Sequence, residues 1–319
     1  MSIATVSRAL SGQSVRPELA ERVQAAVEEL RYQPNPAAQG LAFGLNRSVG
    51  VVAPDLANPF FNEILKAFNS QAARSGFRTL VADAENNPDE ELEISRNLQR
   101  HVDGLLLVSP RMPAESLRIL AKENANIVVA NRVAVGVGLP TVAVDMFGAM
   151  LELCGHLARL GHRKLVYLAG PPASWPNVER RRAIEHAAAF GLEFSVVQAG
   201  SWIEHGHAAV EEALTHEPTA LVAFNDLVAL GALARLGELG VRVPEDISLT
   251  GTDDIPFARF ATPSLTTTAG PLRRLGEEAW ELINAVMAGE STGEVPMLKA
   301  ELVVRSSTGP VPATASSEG

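Results

Sequence analysis

The sequence has little cysteine, few aromatic residues and no apolar run long enough to cross a membrane. Its only cysteine among 319 residues is Cys154, so a disulfide framework is excluded and a reducing compartment is indicated. There is no run of eighteen apolar residues and no signal peptide ahead of the first polar segment, which predicts a cytoplasmic protein. A chain of this length that is 46% hydrophobic and 20% charged is expected to form two or three domains.

Sequence motifs for common catalytic and metal sites are also missing. The chain contains no G-x-S-x-G elbow, no phosphate-binding P-loop and no H-E-x-x-H motif. His205 and His207 are two residues apart, so they point to different faces of a helix, and no third ligand lies near them in sequence. We therefore expect neither an enzyme nor a metal or other cofactor.

Acidic residues outnumber basic residues in the whole chain, and the excess of acidic residues is not evenly distributed along it. Lys and Arg total 27 against 37 Asp and Glu, for a net charge of −10. Residues 1–47 nevertheless carry five arginines and four glutamates, so this end is slightly basic while the remainder is acidic. The difference is a weak indication that the amino-terminal end faces nucleic acid.

The amino-terminal end is predicted to contain two short helices and a conditional third. Residues 2–10 place Ile3, Val6 and Leu10 on one helical face, and a second helix is expected from Pro17. The segment 32–42, YQPNPAAQGLA, is Ala-rich behind two prolines. It is too short to be a stable isolated helix, so we expect it to fold only when something packs against it.

Residues 48–308 alternate between apolar strands and amphipathic helices, which predicts parallel sheets covered on both faces. Strands are predicted at 49–53, 79–82, 105–108, 127–130, 141–145, 164–169, 195–198, 221–224, 247–250 and 298–304. Helices are predicted at 60–74, 89–100, 114–123, 147–160, 178–190, 206–214, 227–239 and 272–287. The Pro/Ala/Ser-rich tail from Gly309 is predicted to be disordered.

Compact polar residues follow several of the predicted strands. They are Asp55, Asn131, Asp145, Asn225, Asp226, Asp253 and Asp254. Because ligands of open parallel sheets bind beyond the carboxyl ends of the strands, these groups are expected to converge. Phe60, Phe61 and Trp202 could supply apolar walls for a small polyhydroxylated molecule. In the alternative, Asp145 and Asp254 only cap helices and Phe60 only packs in the core.

The order and spacing of several motifs resemble the lac repressor/purine repressor family. ATVSRALSG, ERVQAAVEELRYQPN and AAQGLA resemble its DNA-binding head and hinge. The motifs that resemble the ligand-binding sensor of this family are VAPDLANPFF, HVDGLLL, LARLGHRKLVYLAGP, ALVAFNDLVALGAL, GVRVPEDISLTGTDD and PSLTTT. Family heads begin with one more helix than this sequence shows. A start site assigned too far downstream explains the difference, and a naturally truncated helix-turn-helix is the alternative.

The resemblance implies an α/β fold in which a partial all-α helix-turn-helix head precedes a two-lobed, periplasmic-binding-protein-like sensor with two parallel-sheet subdomains. It implies a head at 1–31, a hinge helix and linker at 32–47, a sensor at 48–308 and a tail at 309–319. Lobe 1 would comprise about 48–146 and 272–294, and lobe 2 about 147–271 and 295–308, with crossings near 146, 271 and 295.

The resemblance also implies roles for individual residues. The implied effector-binding residues are Asp55, Phe60, Phe61, Asn131, Arg180, Trp202, Asn225 and Asp253. Among them, Arg180 would clasp ligand oxygens and Trp202 would stack on a ring, while Asn131 replaces a usual aspartate. The implied DNA-binding residues are Ser2, Ile3, Ala4, Thr5, Ser7, Arg8 and Leu41. Arg8 would bond guanine in the major groove, and Leu41 would wedge open a minor-groove step.

A homodimeric, ligand-responsive transcription repressor is the function that the resemblance implies. Its partners would be operator DNA and a small effector, most simply a sugar or sugar derivative, with a purine as the second choice. The alternative is a cytoplasmic sugar- or purine-binding protein that has no DNA-binding activity.

Overall fold

The computed structural model describes residues 2–10, 15–30, 47–124, 126–290 and 297–311. The chain divides into two compact units, residues 1–47 and residues 48–319. Most of the predicted hinge at 32–47, including Leu41, lies outside the described residues.

The first unit contains helices α1 (Ile3–Leu10) and α2 (Pro17–Leu30), which contact each other. Ser2 caps α1, since its Oγ accepts a hydrogen bond of 3.2 Å from the amide of Thr5. Val23 of α2 is 5% exposed and is the most buried side chain described in this unit. Both predicted helices are therefore present.

The second unit has two lobes, each built around a parallel sheet. Lobe 1 contains β1 (Ser48–Ala53), α3 (Pro59–Arg74), β2 (Arg78–Asp83), α4 (Pro88–Gln99), β3 (Gly104–Val108), α5 (Ala114–Glu123), β4 (Ile127–Ala130), β5 (Thr141–Val142) and the late helix α11 (Leu272–Met287). Its five strands lie in the order β2-β1-β3-β4-β5, all parallel.

Lobe 1 is held together by apolar strands and by the packing of α11 on α3. The side chains of β1, β3 and β4 are buried along their whole length, as expected for strands covered on both faces. Trp280 of α11 meets Phe68 of α3 edge-to-face, with ring centroids 5.7 Å apart. A segment distant in sequence therefore completes the lobe.

Lobe 2 contains α6 (Met146–Arg159), β6 (Lys164–Ala169), α7 (Trp175–His186), a 3-10 turn (Ala187–Phe190), β7 (Glu193–Gln198), α8 (Ile203–Thr215), β8 (Ala220–Ala223), α9 (Asp226–Glu238), β9 (Ser248–Thr250), α10 (Pro256–Phe260), β10 (Thr267–Ala269) and β11 (Glu301–Val303). The parallel sheet has the order β7-β6-β8-β9, and β10 pairs with β11 as an antiparallel ribbon.

Helices α8 and α9 of lobe 2 cross at two glycines. A Cβ atom on Gly206 would collide with the carbonyl oxygen of Val228, and one on Gly231 with the carbonyl oxygen of Ile203. The two backbones can approach this closely only because neither position has a side chain.

Two predicted strands at the boundary between the lobes are shorter than expected. The prediction of continuous strands at 141–145 and 298–304 was wrong, since β5 ends at Val142 and β11 covers only Glu301–Val303. Between them, Val144 and Leu298 form an isolated parallel bridge at the lobe boundary. The backbone leaves one sheet here before it joins the other, so neither ladder can continue.

The beginning of the predicted disordered tail is ordered and attached to lobe 2. The Gly309 carbonyl lies 3.0 Å from Nε2 of the buried His162, and the amide of Val311 donates to the Leu160 carbonyl at 3.0 Å. The prediction of disorder was therefore wrong for residues 309–311. Composition could not show that a buried histidine binds this backbone. Residues 312–319 lie outside the described residues.

Candidate ligand-binding cleft

A cavity lies between the two lobes, at the carboxyl ends of their strands. This is the place where an open parallel sheet binds its ligand. The cavity is lined by Asn58, Phe60, Phe61, Ser109, Arg111 and Asn131 from lobe 1, and by Ser174, Pro176, Arg180, Phe224, Asn225 and Asp253 from lobe 2.

Six of the eight effector-binding residues expected from the sequence share this cavity. They are Phe60, Phe61, Asn131, Arg180, Asn225 and Asp253. Asp55 and Trp202 are not among the lining residues. Asp55 accepts hydrogen bonds from the Ala57 amide and the Asn86 side chain, at 3.0 and 2.9 Å. Trp202 is half-buried and packs against the core at the start of α8.

The aromatic wall of lobe 1 comes from the first turn of α3. Asn58 caps this helix by accepting from the Phe60 amide at 3.0 Å, and Pro59 occupies the first helical position. The rings of Phe60 and Phe61 meet edge-to-face with centroids 5.1 Å apart, and both are almost fully buried. They therefore belong to the core and to the cavity wall at once.

The polar wall of lobe 2 is built around an ion pair. Nη2 of Arg180 lies 3.2 Å from Oδ1 of Asp253, and the guanidinium lies over the ring of Phe224 at 4.8 Å. Asn225 caps α9 by accepting from the Val228 amide at 2.9 Å and donates to the Ser201 carbonyl at 3.0 Å. The amide of Asn225 retains one further N–H for a ligand.

Burial makes the carboxyl groups of this wall unusually basic. Burial raises the pKa of Asp253 to about 7, although the charge and hydrogen bond of Arg180 oppose the rise. The pKa of the adjacent Asp226 is also raised, first by burial and second by the charge of Asp253. Asp226 accepts from the Thr267 hydroxyl at 2.7 Å and the Ile255 amide at 2.9 Å, which holds it in the core.

The helix-capping role that the sequence left open is confirmed for Asp145 but not for Asp254, since the N-cap residue of α10 is Ile255. Asp145 caps α6 by accepting from the Gly148 amide at 2.8 Å. Asp254 pairs with Arg305 at 2.6 Å, close to the antiparallel ribbon. Neither lines the cavity.

Three lining residues adopt backbone conformations that L-amino acids seldom use. The φ angles of Ser109, Asn131 and Asp253 are 46°, 57° and 111°. Such conformations cost free energy and cluster at functional sites, where the surrounding fold maintains them. Their coincidence in one cavity supports a binding role.

Sequence reasoning missed half of the lining. The missed residues are Asn58, Ser109, Arg111, Ser174, Pro176 and Phe224. Ser109 and Arg111 follow β3 directly, so extending the strand-end argument to that strand would have found them. Asn58 and Ser174 are the N-cap residues of α3 and α7, a signal visible in the sequence but assigned there to no site.

The proposed DNA-contacting residues lie on or beside α1. Ser2 and Arg8 are exposed and Thr5 is half-buried, and Oγ of Ser2 lies 2.8 Å from Oγ1 of Thr5. Ile3, Ala4 and Ser7 belong to the same helix.

Two family models match the chain. Residues 1–35 match the model for bacterial regulatory proteins of the lacI family, and residues 154–308 match the periplasmic binding protein-like domain. The HTH-type transcriptional repressor CytR of Escherichia coli (strain K12) is 31% identical over 98% of this chain and 94% of its own length. The chain belongs to the LacI family.

Solved structures of LacI-family regulators agree with this assignment. The lac repressor dimer bound to operator and the anti-inducer ONPF is 25% identical, with a TM-score of 0.86 over 97% of this chain and 96% of that chain. The regulator CelR in complex with cellobiose is 29% identical, with a TM-score of 0.72 over 96% of each chain. This LacI-family protein is a ligand-responsive, DNA-binding transcription regulator with the two-lobed α/β fold.

The relatives named above are transcription regulators. CytR is a repressor by its name, as is the lac repressor, and CelR is named as a transcriptional regulator. Within the described residues, no group of His, Cys, Asp or Glu could hold a metal ion, and no helix is long and apolar enough to cross a membrane.

Proposed function

We propose that this protein is a homodimeric transcription repressor that senses a small sugar or sugar derivative in the cleft between its lobes. The observation that carries the proposal is the cavity between the lobes, whose polar and aromatic walls come from both of them. The match of residues 1–35 to the lacI family opposes the alternative of a binding protein without a DNA-binding head.

Control of DNA binding follows from the position of the cleft. A ligand that contacts Phe60 and Asn131 on one side and Arg180 and Asn225 on the other binds more tightly when the lobes are close. It therefore shifts the population of lobe arrangements by its differential affinity. We propose that this shift alters the spacing of the two hinges in a dimer, and hence the placement of Leu41 and the recognition helices on the operator.

A sugar suits the walls of the cavity. Hydroxyl groups can pair with amide, guanidinium and carboxyl groups, while the rings of Phe60, Phe61 and Phe224 cover the apolar faces of a pyranose. The structure of CelR with cellobiose adds support, since that regulator is 29% identical to this chain.

The test measures DNA binding with and without sugar. The full chain is titrated onto the promoter-proximal DNA beside its own gene and onto a scrambled duplex, at matched salt because phosphate contacts are salt-sensitive. Specific binding that changes at least about tenfold when a sugar is added supports the proposal, since tenfold is a coupling of about 1.4 kcal/mol.

A cleft variant and a surface variant complete the experiment. Asn225→Ala removes a lining side chain, whereas Arg74→Ala changes an exposed arginine of α3 that does not line the cavity. We expect only Asn225→Ala to lose the sugar response. Equal binding to both duplexes, or a response that survives in Asn225→Ala, contradicts the proposal.

The proposed assembly is a dimer formed by faces of the sensor lobes. Sedimentation at micromolar concentration should give the mass of two chains. A stable tetramer would contradict it.

A further inference from the structure

Arg111 is a buried arginine whose side chain lacks partners. It follows β3, lines the cavity from lobe 1 and is 7% exposed. Its Nε and Nη1 atoms are enclosed and have no hydrogen-bond partner among the described residues. Buried charged groups are normally paired, so an unpaired guanidinium at a cavity wall points to a partner that comes from outside the chain.

The loop that carries Arg111 is fixed on two sides. Oε2 of the buried Glu91 accepts from the amides of Arg111 and Met112 at 2.8 and 2.6 Å. Nη1 of Arg132 donates to the carbonyls of Pro110 and Met112 at 2.8 and 2.7 Å. A loop held in this way is organised before a ligand arrives, which lowers the cost of binding.

Nearby carboxylates do not satisfy the guanidinium. Glu91 uses one oxygen for two backbone amides, and Asp55 uses one oxygen for an amide and the other for Asn86. Burial lowers the pKa of Arg111 to about 10, opposed by the charges of Glu91 and Asp55, so the group stays protonated at neutral pH. The cation is therefore buried without an ion-pair partner that touches it.

The cavity as a whole favours negative charge. Its lining holds two arginines against one aspartate, on a chain whose net charge is −10. Arg180 already has a carboxyl partner in Asp253, whereas no carboxyl group contacts the guanidinium of Arg111 among the described residues. In addition, Asn58, Ser174 and Asn225 line the cavity and are the N-cap residues of α3, α7 and α9, so the positive ends of three helices lie at it.

We propose that the effector carries an anionic oxygen group, a carboxylate or a phosphate, and that Arg111 binds this group from lobe 1. The inference rests on the proposed function and narrows its effector to an acidic sugar derivative. Charge-assisted hydrogen bonds to carboxylate or phosphate satisfy the guanidinium better than neutral hydroxyls do. Oδ1 of Asn131, also enclosed without a partner, is available to a hydroxyl of the same molecule.

The test compares neutral sugars with their acidic counterparts on the full chain. Glucose is compared with glucuronate and glucose 6-phosphate, ribose with ribose 5-phosphate, and inorganic phosphate is included, all at constant ionic strength. Thermal unfolding reports binding, because a ligand that binds only the folded state raises the melting temperature. Glucuronate and the phosphate esters distinguish a carboxylate from a phosphate.

Three variants assign the effect to Arg111. Arg111→Met removes the charge with little change in length, Arg111→Lys keeps the charge, and Arg74→Met is the control on the exposed face of the same lobe. We expect an acidic compound to stabilise the parent more than its neutral partner does. Arg111→Met should weaken its binding about tenfold or more, and Arg74→Met should leave it unchanged. Circular dichroism checks folding, and the neutral Arg111→Gln replaces Arg111→Met if the latter does not fold.

The inference is overturned if each compound shifts the melting temperature of the parent and of Arg111→Met equally. It is also overturned if no compound shifts the melting temperature of either protein. Binding of a neutral sugar with an affinity that Arg111→Met leaves unchanged also overturns it. The DNA-binding assay separates this failure from failure of the proposed function. If neutral sugars still control DNA binding, the proposed function stands and only the proposal of an anionic group on the effector is wrong. If Arg111 binds an acidic compound that never alters DNA affinity, the proposed function is wrong instead.

Discussion

Nη2 of Arg180 and Oδ1 of Asp253 lie 3.2 Å apart in the wall of lobe 2, with side chains that are 3% and 9% exposed. This pairing makes the two walls of the cleft electrostatically different. Lobe 2 presents a guanidinium that is hydrogen-bonded to a carboxyl group, whereas lobe 1 presents the guanidinium of Arg111, whose Nε and Nη1 have no hydrogen-bond partner among the described residues. A ligand with one anionic end is therefore expected to bind in a single orientation.

The raised pKa of Asp253 predicts a pH dependence of stability. Burial raises this pKa to about 7 from an ordinary value of 3.8. Between these values the folded protein keeps a proton that the unfolded chain releases, so the free energy of unfolding falls as pH rises. The stabilisation is complete below about 3.8 and is lost as pH passes about 7. One group changes this slope by at most about 1.4 kcal/mol per pH unit.

Asp253→Asn is the matched variant for this measurement, because asparagine has the same shape and does not titrate. Urea unfolding of both proteins, without effector, gives the free energy at each pH. The difference between parent and variant should vary across this window and be constant above it. Parallel curves would show that Asp253 is ionised in the folded protein throughout.

The close crossing of α8 and α9 predicts a large effect from a single methyl group. Gly231→Ala places a Cβ atom against the backbone carbonyl of Ile203, which cannot move without displacing the helix. We expect the free energy of unfolding to fall by about 1–3 kcal/mol or more. Urea unfolding followed by circular dichroism measures the change.

Gly237 is the control in the same helix. It is exposed, and a Cβ atom there has nothing within 4 Å. Gly237→Ala should raise the free energy of unfolding by up to about 1 kcal/mol, because alanine is the better helix former. Equal changes in the two variants would mean that the helices are not in close contact at Gly231.

The parallel sheets could be predicted from the sequence because their strands are continuous apolar runs, such as GLLLV in β3 and IVVA in β4. The strand β10 was missed because TTA has no apolar run and is held by a partner more than thirty residues away. Helix α7 begins earlier than predicted, at Trp175, because Pro176 lies in its first turn, where proline is tolerated.

The site could be predicted only as far as residue type and strand-end position reach. Asn131, Asn225 and Asp253 follow from the rule that ligands bind at the carboxyl ends of parallel strands. Arg111 could not be predicted as a site residue, because its role depends on the burial of its guanidinium and on the neighbours that leave it unpaired. Both properties arise from tertiary packing, and an arginine in a loop looks solvated from sequence alone.

Arg8 is predicted to contribute specificity as well as affinity on DNA. It is exposed on α1, the helix that carries the proposed base contacts. Arg8→Ala should weaken operator binding by about 1–3 kcal/mol and relax the preference at one base pair, if the guanidinium bonds guanine. Fluorescence anisotropy on a set of single-base operator variants, at one salt concentration, measures both effects.

A loss of affinity that is equal for all sequences would instead assign Arg8 to a phosphate. Arg74→Ala, which removes the same charge from α3 in the second unit, is the control and should bind every duplex as the parent does.

The last prediction concerns which aromatic ring contacts the effector from lobe 2. Phe224 lines the cavity beneath Arg180, whereas Trp202 packs against the core and is not among the lining residues. The sequence predicted Trp202 for this role, and that remains a prediction. We expect Phe224→Leu to weaken binding of the compound found in the thermal screen by about tenfold, since an aromatic contact adds about 0.5–1.5 kcal/mol beyond its buried area. Trp202→Leu, measured by the same titration, should have a smaller effect. If Trp202→Leu abolishes binding while Phe224→Leu does not, Trp202 moves into the cleft when the ligand binds and forms its wall.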